Sequence, residues 1–210
     1  MNAADVEARL AEIAVLPVVV LDDAADAAPL ADALAAGGIP CAEVTLRTEA
    51  GVAAMAAMRG VDGFLVGAGT VVSAPQLERS VEAGARFVVS PGWSAAVVAG
   101  AQAHGVAVFP GVATASEVMT AYEAGLRTLK LFPAAQLGGP GMITALRGPF
   151  PDVRFVPSGG IDIDNAADYL ALDAVPVVST SWVAPRAWIA EHRFDEIAER
   201  ARTFRAALGR

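Results

Sequence analysis

Cysteine is almost missing from this chain. Cys41 stands alone among 210 residues, which excludes an internal disulfide and suits a reducing compartment. Histidine is nearly as scarce: only His104 and His192 occur, and with one cysteine they cannot assemble a zinc set. No inward pair of carboxylates suggests a magnesium site, so no metal is expected. Basic residues are outnumbered, 15 Lys+Arg against 23 Asp+Glu, for a net charge of −8. Such a surface repels phosphate backbones and argues against nucleic acid as a partner. No run of about 18 apolar residues occurs, so no membrane span is expected. The segment Met1-Asn2-Ala3-Ala4-Asp5-Val6-Glu7 carries acid where an export signal carries positive charge, and the expected location is cytoplasmic. Aromatic residues make up 6% of the chain while hydrophobic residues make up 55%. The core is therefore built from small aliphatic side chains, and a disordered chain is excluded.

What is present is a rhythm. Aliphatic or β-branched runs fall at residues 16–21, 39–46, 63–68, 86–89, 106–109, 128–132, 154–158 and 175–179. They recur roughly every 20 to 25 residues, the length of one strand–loop–helix–loop unit. Alternation of this kind implies parallel strands joined by crossover helices. Eight units suit a compact (β/α)8 barrel (TIM barrel), an α/β fold spanning residues 1–210 as a single domain. Residues 5–14 suit an extra N-terminal helix over the barrel floor. Residues 194–208 suit a closing C-terminal helix, with Phe194, Ile197, Ala201, Phe204 and Leu208 on one stripe. Ser73 followed by Pro75, and Thr114 followed by Glu117, read as helix starts. An open doubly wound sheet is the competing fold, but no Gly-x-Gly-x-x-Gly opens a helix after the first strand.

Lysine is rarer still than histidine. Lys130 is the only one, in Leu129-Lys130-Leu131-Phe132-Pro133, while every other basic residue is arginine. Only the amine can lose its proton at accessible pH and attack a carbonyl carbon to form a Schiff base. Strand alternation sends Thr128, Lys130 and Phe132 inward, and Leu129 and Leu131 toward the helices. An ion-paired structural lysine is the competing reading.

Strand two carries its own charges. In Glu43-Val44-Thr45-Leu46-Arg47-Thr48 the alternation turns Glu43, Thr45 and Arg47 inward. At about 3.3 Å per residue Glu43 and Arg47 lie some 13 Å apart, too far to pair simply. Arg47 stands at the carboxyl end, where barrels place their sites. Strands two and six are opposite and both even-numbered, so Glu43 and Lys130 meet near the axis if their heights match. An amine beside a proton-transfer group is what imine chemistry requires; a plain buried salt bridge is the alternative.

Several loops suit anions. Pro157-Ser158-Gly159-Gly160-Ile161 follows strand seven, and its paired glycines allow backbone N–H groups to approach a phosphate. Ser179-Thr180-Ser181 adds hydroxyls after strand eight, in the usual phosphate position of this fold. Thr70 shares the parity of Val66 and Ala68 and is a candidate donor to a substrate carboxylate. Ser90-Pro91-Gly92 reads as an ordinary turn. Phe132 reads as a hydrophobic wall or as core packing.

Taken together, Glu43-Val44-Thr45-Leu46-Arg47-Thr48, Gly67-Ala68-Gly69-Thr70, Ser90-Pro91-Gly92, Pro110-Gly111-Val112-Ala113-Thr114, Leu129-Lys130-Leu131-Phe132-Pro133-Ala134 and Pro157-Ser158-Gly159-Gly160-Ile161 resemble the 2-keto-3-deoxy-6-phosphogluconate (KDPG) aldolase family. These are class I pyruvate aldolases of the Entner–Doudoroff pathway. The resemblance implies a lyase, without cofactor, that takes a small keto acid and releases pyruvate and glyceraldehyde 3-phosphate, with activity also toward 4-hydroxy-2-oxoglutarate. It implies Lys130 as the Schiff-base lysine and Glu43 as the proton-transfer residue. Arg47 and Thr70 would bind the pyruvate carboxylate, Phe132 and Pro91 would line the pocket, and Gly159, Gly160 and Ser181 would hold the phosphate. It also implies a homotrimer. One departure stands out: the family often has two glycines where Ser179 and Thr180 precede Ser181-Trp182 here, so these side chains are expected either to crowd the phosphate or to add donors to it. The competing functions are an aldolase for the galactonate epimer, a non-catalytic phosphosugar-binding barrel and a phosphosugar isomerase.

Overall fold

A computed structural model of the chain describes residues 1–209. Nine parallel strands run through it: β1 (Val15–Val19), β2 (Cys41–Thr45), β3 (Leu65–Gly69), β4 (Phe87–Val89), β5 (Ala107–Phe109), β6 (Gly111–Val112), β7 (Thr128–Leu131), β8 (Arg154–Pro157) and β9 (Val178–Thr180). They form a six-stranded sheet in the order β5-β4-β3-β2-β1-β9 and a three-stranded sheet in the order β6-β7-β8. The sheet curls, and a single parallel bridge between Ser158 and Ser179 joins the two ends.

Eight strands are expected from the repeat, and the ninth arises within the fifth unit. Pro110 separates β5 from β6 because it has no N–H to give to a ladder. Its carbonyl remains in use, accepting from the Lys130 N–H at 3.0 Å.

The helices are α1 (Ala3–Ile13), α2 (Ala27–Ala36), α3 (Gly51–Met58), α4 (Ala74–Glu82), α5 (Ala95–Ala103), α6 (Ala115–Glu123), α7 (Pro140–Arg147), α8 (Ala166–Leu170), α9 (Arg186–Ala190) and α10 (Phe194–Ala207). The extra N-terminal helix is present as α1, which starts in an Asn2–Asp5 capping box and buries Val6, Leu10 and Ile13. It covers the amino ends of the strands, where the Thr128 hydroxyl donates to Glu7 at 2.6 Å and Arg154 pairs with Glu7 at 2.5 Å. The closing helix is α10, with Ile197, Ala198, Ala201 and Phe204 buried. Thr114 and Glu117 form the expected capping box of α6. Ser73 occupies the N-cap of α4 without a side-chain cap bond; the Gln76 side chain instead accepts from the Val72 N–H at 2.8 Å.

One parity expectation is reversed. In the β2–β3 register Val44 pairs with Ala68 and Thr45 with Gly69, and register partners share a face. Gly67 and Gly69 therefore face the interior with Glu43, while Val66 and Ala68 face the helices. A Cβ on Gly67 would overlap the Phe87 ring, and one on Gly69 would overlap the Glu43 carboxylate. Glycine carries no hydrophobic signal, so the bulkier neighbours take its place in a reading by pattern.

Candidate active site

Lys130 projects from β7 into the interior and is 6% exposed; Glu43 projects from β2 and is 1% exposed. Lys130 Nζ and Glu43 Oε1 lie 3.4 Å apart, so the heights of the two opposed strands do match. The ammonium also sits 5.3 Å from the centre of the Phe132 ring. An unpaired charge at this depth would be costly, and each group offsets the burial of the other. The other Glu43 oxygen, Oε2, accepts from Ser179 Oγ at 3.4 Å.

Beside this pair lies a cavity of about 170 Å³, lined among others by Arg47, Phe132, Gly159, Gly160, Ser179 and Ser181. Phe132 connects it to the lysine and Ser179 connects it to the glutamate. β2 ends at Thr45, so Arg47 stands on the following turn and is exposed rather than directed inward along the strand. Arg47 lines the cavity and has no ion-pair partner among the described residues.

The loop after β8 turns at its paired glycines. Gly159 and Gly160 have φ of 93° and 79°, a region open chiefly to glycine. Ser158 and Gly159 carbonyls accept from Ala134 and Ala135 N–H groups at 2.8 and 3.1 Å. Asn165 Nδ2 donates to the Gly160 carbonyl at 2.8 Å. These bonds occupy the acceptors of the loop, and the Gly160 and Ser181 N–H groups have no protein acceptor among the described residues. The Ser179 and Thr180 hydroxyls do not add donors to that surface. Ser179 turns to Glu43, and Thr180 Oγ1 donates to the Ile161 carbonyl at 2.6 Å while accepting from the Trp182 N–H at 3.0 Å. Ser181 keeps its hydroxyl uncommitted.

Two expected residues fall outside this cavity. Thr70 follows Gly69 with a left-handed φ of 59° and is half-buried, off the cavity lining. Pro91 lines a separate cavity with Val71, Val72, Gly92, Trp93 and Ser94, and its carbonyl packs against Gly111, where a Cβ would overlap it. Ser90-Pro91-Gly92 is a turn held by Ser90 Oγ donating to the Gly92 carbonyl at 2.8 Å. Sequence reasoning missed Gly69, which makes room for Glu43, and Asn165, which braces Gly160. A glycine beside an inward carboxylate on the next strand is the signal that points to the first; an Asp-x-x-Asn turn after paired glycines points to the second.

Known proteins resemble the chain over most of its length. The family model described as "Aldolase: KDPG and KHG aldolase" matches residues 6–200. A 2-dehydro-3-deoxy-phosphogluconate aldolase of Treponema pallidum is 46% identical over 189 residues, 90% of each chain. That of Pseudomonas aeruginosa is 44% identical over 187 residues, 89% of this chain and 85% of the relative. Among solved structures, a KDPG aldolase from Legionella pneumophila, with pyruvate captured at low pH as a covalent carbinolamine intermediate, superposes with a TM-score of 0.90. It is 40% identical and covers 95% of this chain and 97% of its own.

Proposed function

Because the chain belongs to the KDPG and KHG aldolase family, we propose that it is a class I aldolase that cleaves KDPG to pyruvate and glyceraldehyde 3-phosphate. It also cleaves 4-hydroxy-2-oxoglutarate to pyruvate and glyoxylate. The observation that carries this reading is the placement of the sole lysine, buried 3.4 Å from Glu43 and 5.3 Å from the Phe132 ring that lines the cavity. Apart from the terminal amine, Lys130 Nζ is the one primary amine of the sequence. The covalent carbinolamine of the Legionella relative requires such a nucleophile.

The steps follow from the groups present. Glu43 takes a proton from the Lys130 ammonium, the freed amine adds to the C2 ketone, and the same proton returns to the carbinolamine hydroxyl, so that water leaves and an iminium remains. Glu43 takes the proton of the C4 hydroxyl; the C3–C4 bond breaks, its electron pair passes into the enamine, and the aldehyde departs. Glu43 then returns the proton to C3, and water hydrolyses the imine to free pyruvate and Lys130. Arg47, on the cavity lining, holds the pyruvate carboxylate, and Thr70, although off that lining, is assigned to the same carboxylate on the family resemblance alone; Gly159, Gly160 and Ser181 hold the phosphate, supported by the unengaged N–H groups of that rim. Phe132 forms the wall. Pro91 has no support as a wall residue, since it lines another cavity.

The same reading makes the chain one closed (β/α)8 barrel. The Ser158–Ser179 bridge supports closure on one side, and the shared fifth unit, split only at Pro110, supports it on the other. The barrel is a single domain that works as a cytoplasmic homotrimer on a small-molecule substrate. The family resemblance favours the trimer, and the exposed Val72 and Met119 supply apolar surface for it.

Borohydride reduction in the presence of pyruvate tests the chemistry. A covalent pyruvyl adduct on Lys130 is expected by mass spectrometry, lost together with pyruvate release in Lys130→Ala. An unmodified protein, or full turnover in the variant, would refute the imine mechanism.

A further inference from the structure

We infer that Ser179 is a positioning residue for Glu43, fixing the plane of its carboxylate so that one oxygen faces the substrate-bearing amine. This rests on the reading of Glu43 as the proton-transfer group.

The terminal torsion of a glutamate is broad and roughly two-fold, so burial alone does not orient the carboxylate. Contacts must do it, and Glu43 has two, on different oxygens: Lys130 Nζ at Oε1 and Ser179 Oγ at Oε2, each at 3.4 Å. The two partners come from different strands, β7 and β9. Gly69 of β3 closes against the carboxylate without a side chain and offers no hydrogen bond. Thr45 Oγ1 and Thr180 Oγ1 are engaged elsewhere, with the Val19 carbonyl at 3.0 Å and the Ile161 carbonyl at 2.6 Å, and the buried Ser158 hydroxyl makes no bond to Glu43. Among the described residues, Lys130 and Ser179 are the side chains hydrogen-bonded to Glu43.

A carboxylate only accepts, so the serine is the donor in this contact. When Lys130 becomes an imine its nitrogen bears fewer protons and no longer serves the glutamate as a free ammonium does. Ser179 is then the contact that persists through the proton transfers at C4 and C3. Both contacts are long for hydrogen bonds, which leaves the carboxylate located yet able to exchange a proton. A hydroxyl at this position thus serves the carbon–carbon step rather than the phosphate.

The test separates imine formation from proton transfer. Wild-type chain, Ser179→Ala, Ser179→Gly and Ser179→Thr are compared for borohydride trapping of pyruvate on Lys130, deuterium exchange of the pyruvate methyl group in D2O, and steady-state cleavage. Loss of the hydroxyl in the alanine and glycine variants is expected to leave trapping intact and KM within about twofold. Methyl exchange and kcat should fall about 10- to 100-fold, the scale of a misplaced catalytic group, and Ser179→Thr should restore exchange. If a folded hydroxyl-free variant exchanges at the wild-type rate, or if trapping falls in proportion to exchange, the inference is overturned. Glu43→Gln is the separate arm: wild-type exchange there would overturn the role given to Glu43 itself.

Discussion

Glycine 69 does more for the site than its missing side chain suggests. It stands where Glu43 crosses the interior face of β3, and a Cβ there would overlap the carboxylate. Gly69→Ala therefore displaces the acid while removing no polar group. The expected cost is about 1–3 kcal/mol from overpacking, read as a lower Tm, together with a larger fall in kcat than in substrate affinity. Lys130 and Glu43 were legible in the sequence because a buried charge breaks a hydrophobic alternation visibly. Gly69 was not, because a glycine on an inner strand face departs from no pattern; Ser179 stood out, but toward the phosphate, because a sequence gives a hydroxyl's position and not its acceptor. Arg47 was legible by type but not by direction, since the alternation that oriented it ends two residues earlier at Thr45.

At the level of elements, the amino and carboxyl ends of the strands carry separate tasks. α1 seals the amino end through Val6, Leu10 and Ile13 and through Glu7, which meets Thr128 and Arg154, the first residues of β7 and β8. Glu7→Ala removes both partners and is expected to lower stability by about 1–2 kcal/mol, measured by urea unfolding, with kcat and KM unchanged because the reacting groups lie at the other end. α10 acts on the carboxyl side. Arg200 stacks 3.5 Å over the Trp182 ring and donates to the Trp182 carbonyl at 2.6 Å, steadying the segment that begins with Ser181. Helix existence and type followed from the periodicity, as at α1, α6 and α10. The split of the fifth strand did not, because Pro110 interrupts a ladder without ending the run of apolar residues around it.

For the molecule as a whole, the first and last units are joined by more than backbone. Arg186, after β9, forms a two-bond contact with Asp22, after β1, at 2.8 and 2.5 Å. That side-chain hydrogen bond holds the Asp22 carboxyl below its ordinary range. A carboxyl whose folded value is depressed contributes stability above its unfolded value and loses it as pH falls through the folded one. The Tm difference between the chain and Arg186→Ala is thus expected at neutral pH and should vanish in acid, below the usual carboxylate range; a difference that persists there would show the pair to be irrelevant. The order of the strands was legible from the repeat, whereas this seam was not, since residues 164 positions apart share no local signal. The scarcity of lysine has one last consequence. A catalyst that liberates a sugar-derived aldehyde bathes itself in an electrophile, and an exterior studded with amines would gather adducts with every round of work. Here the arginine-only exterior leaves the product little to condense with, and the single side chain able to do so is shielded inside the fold.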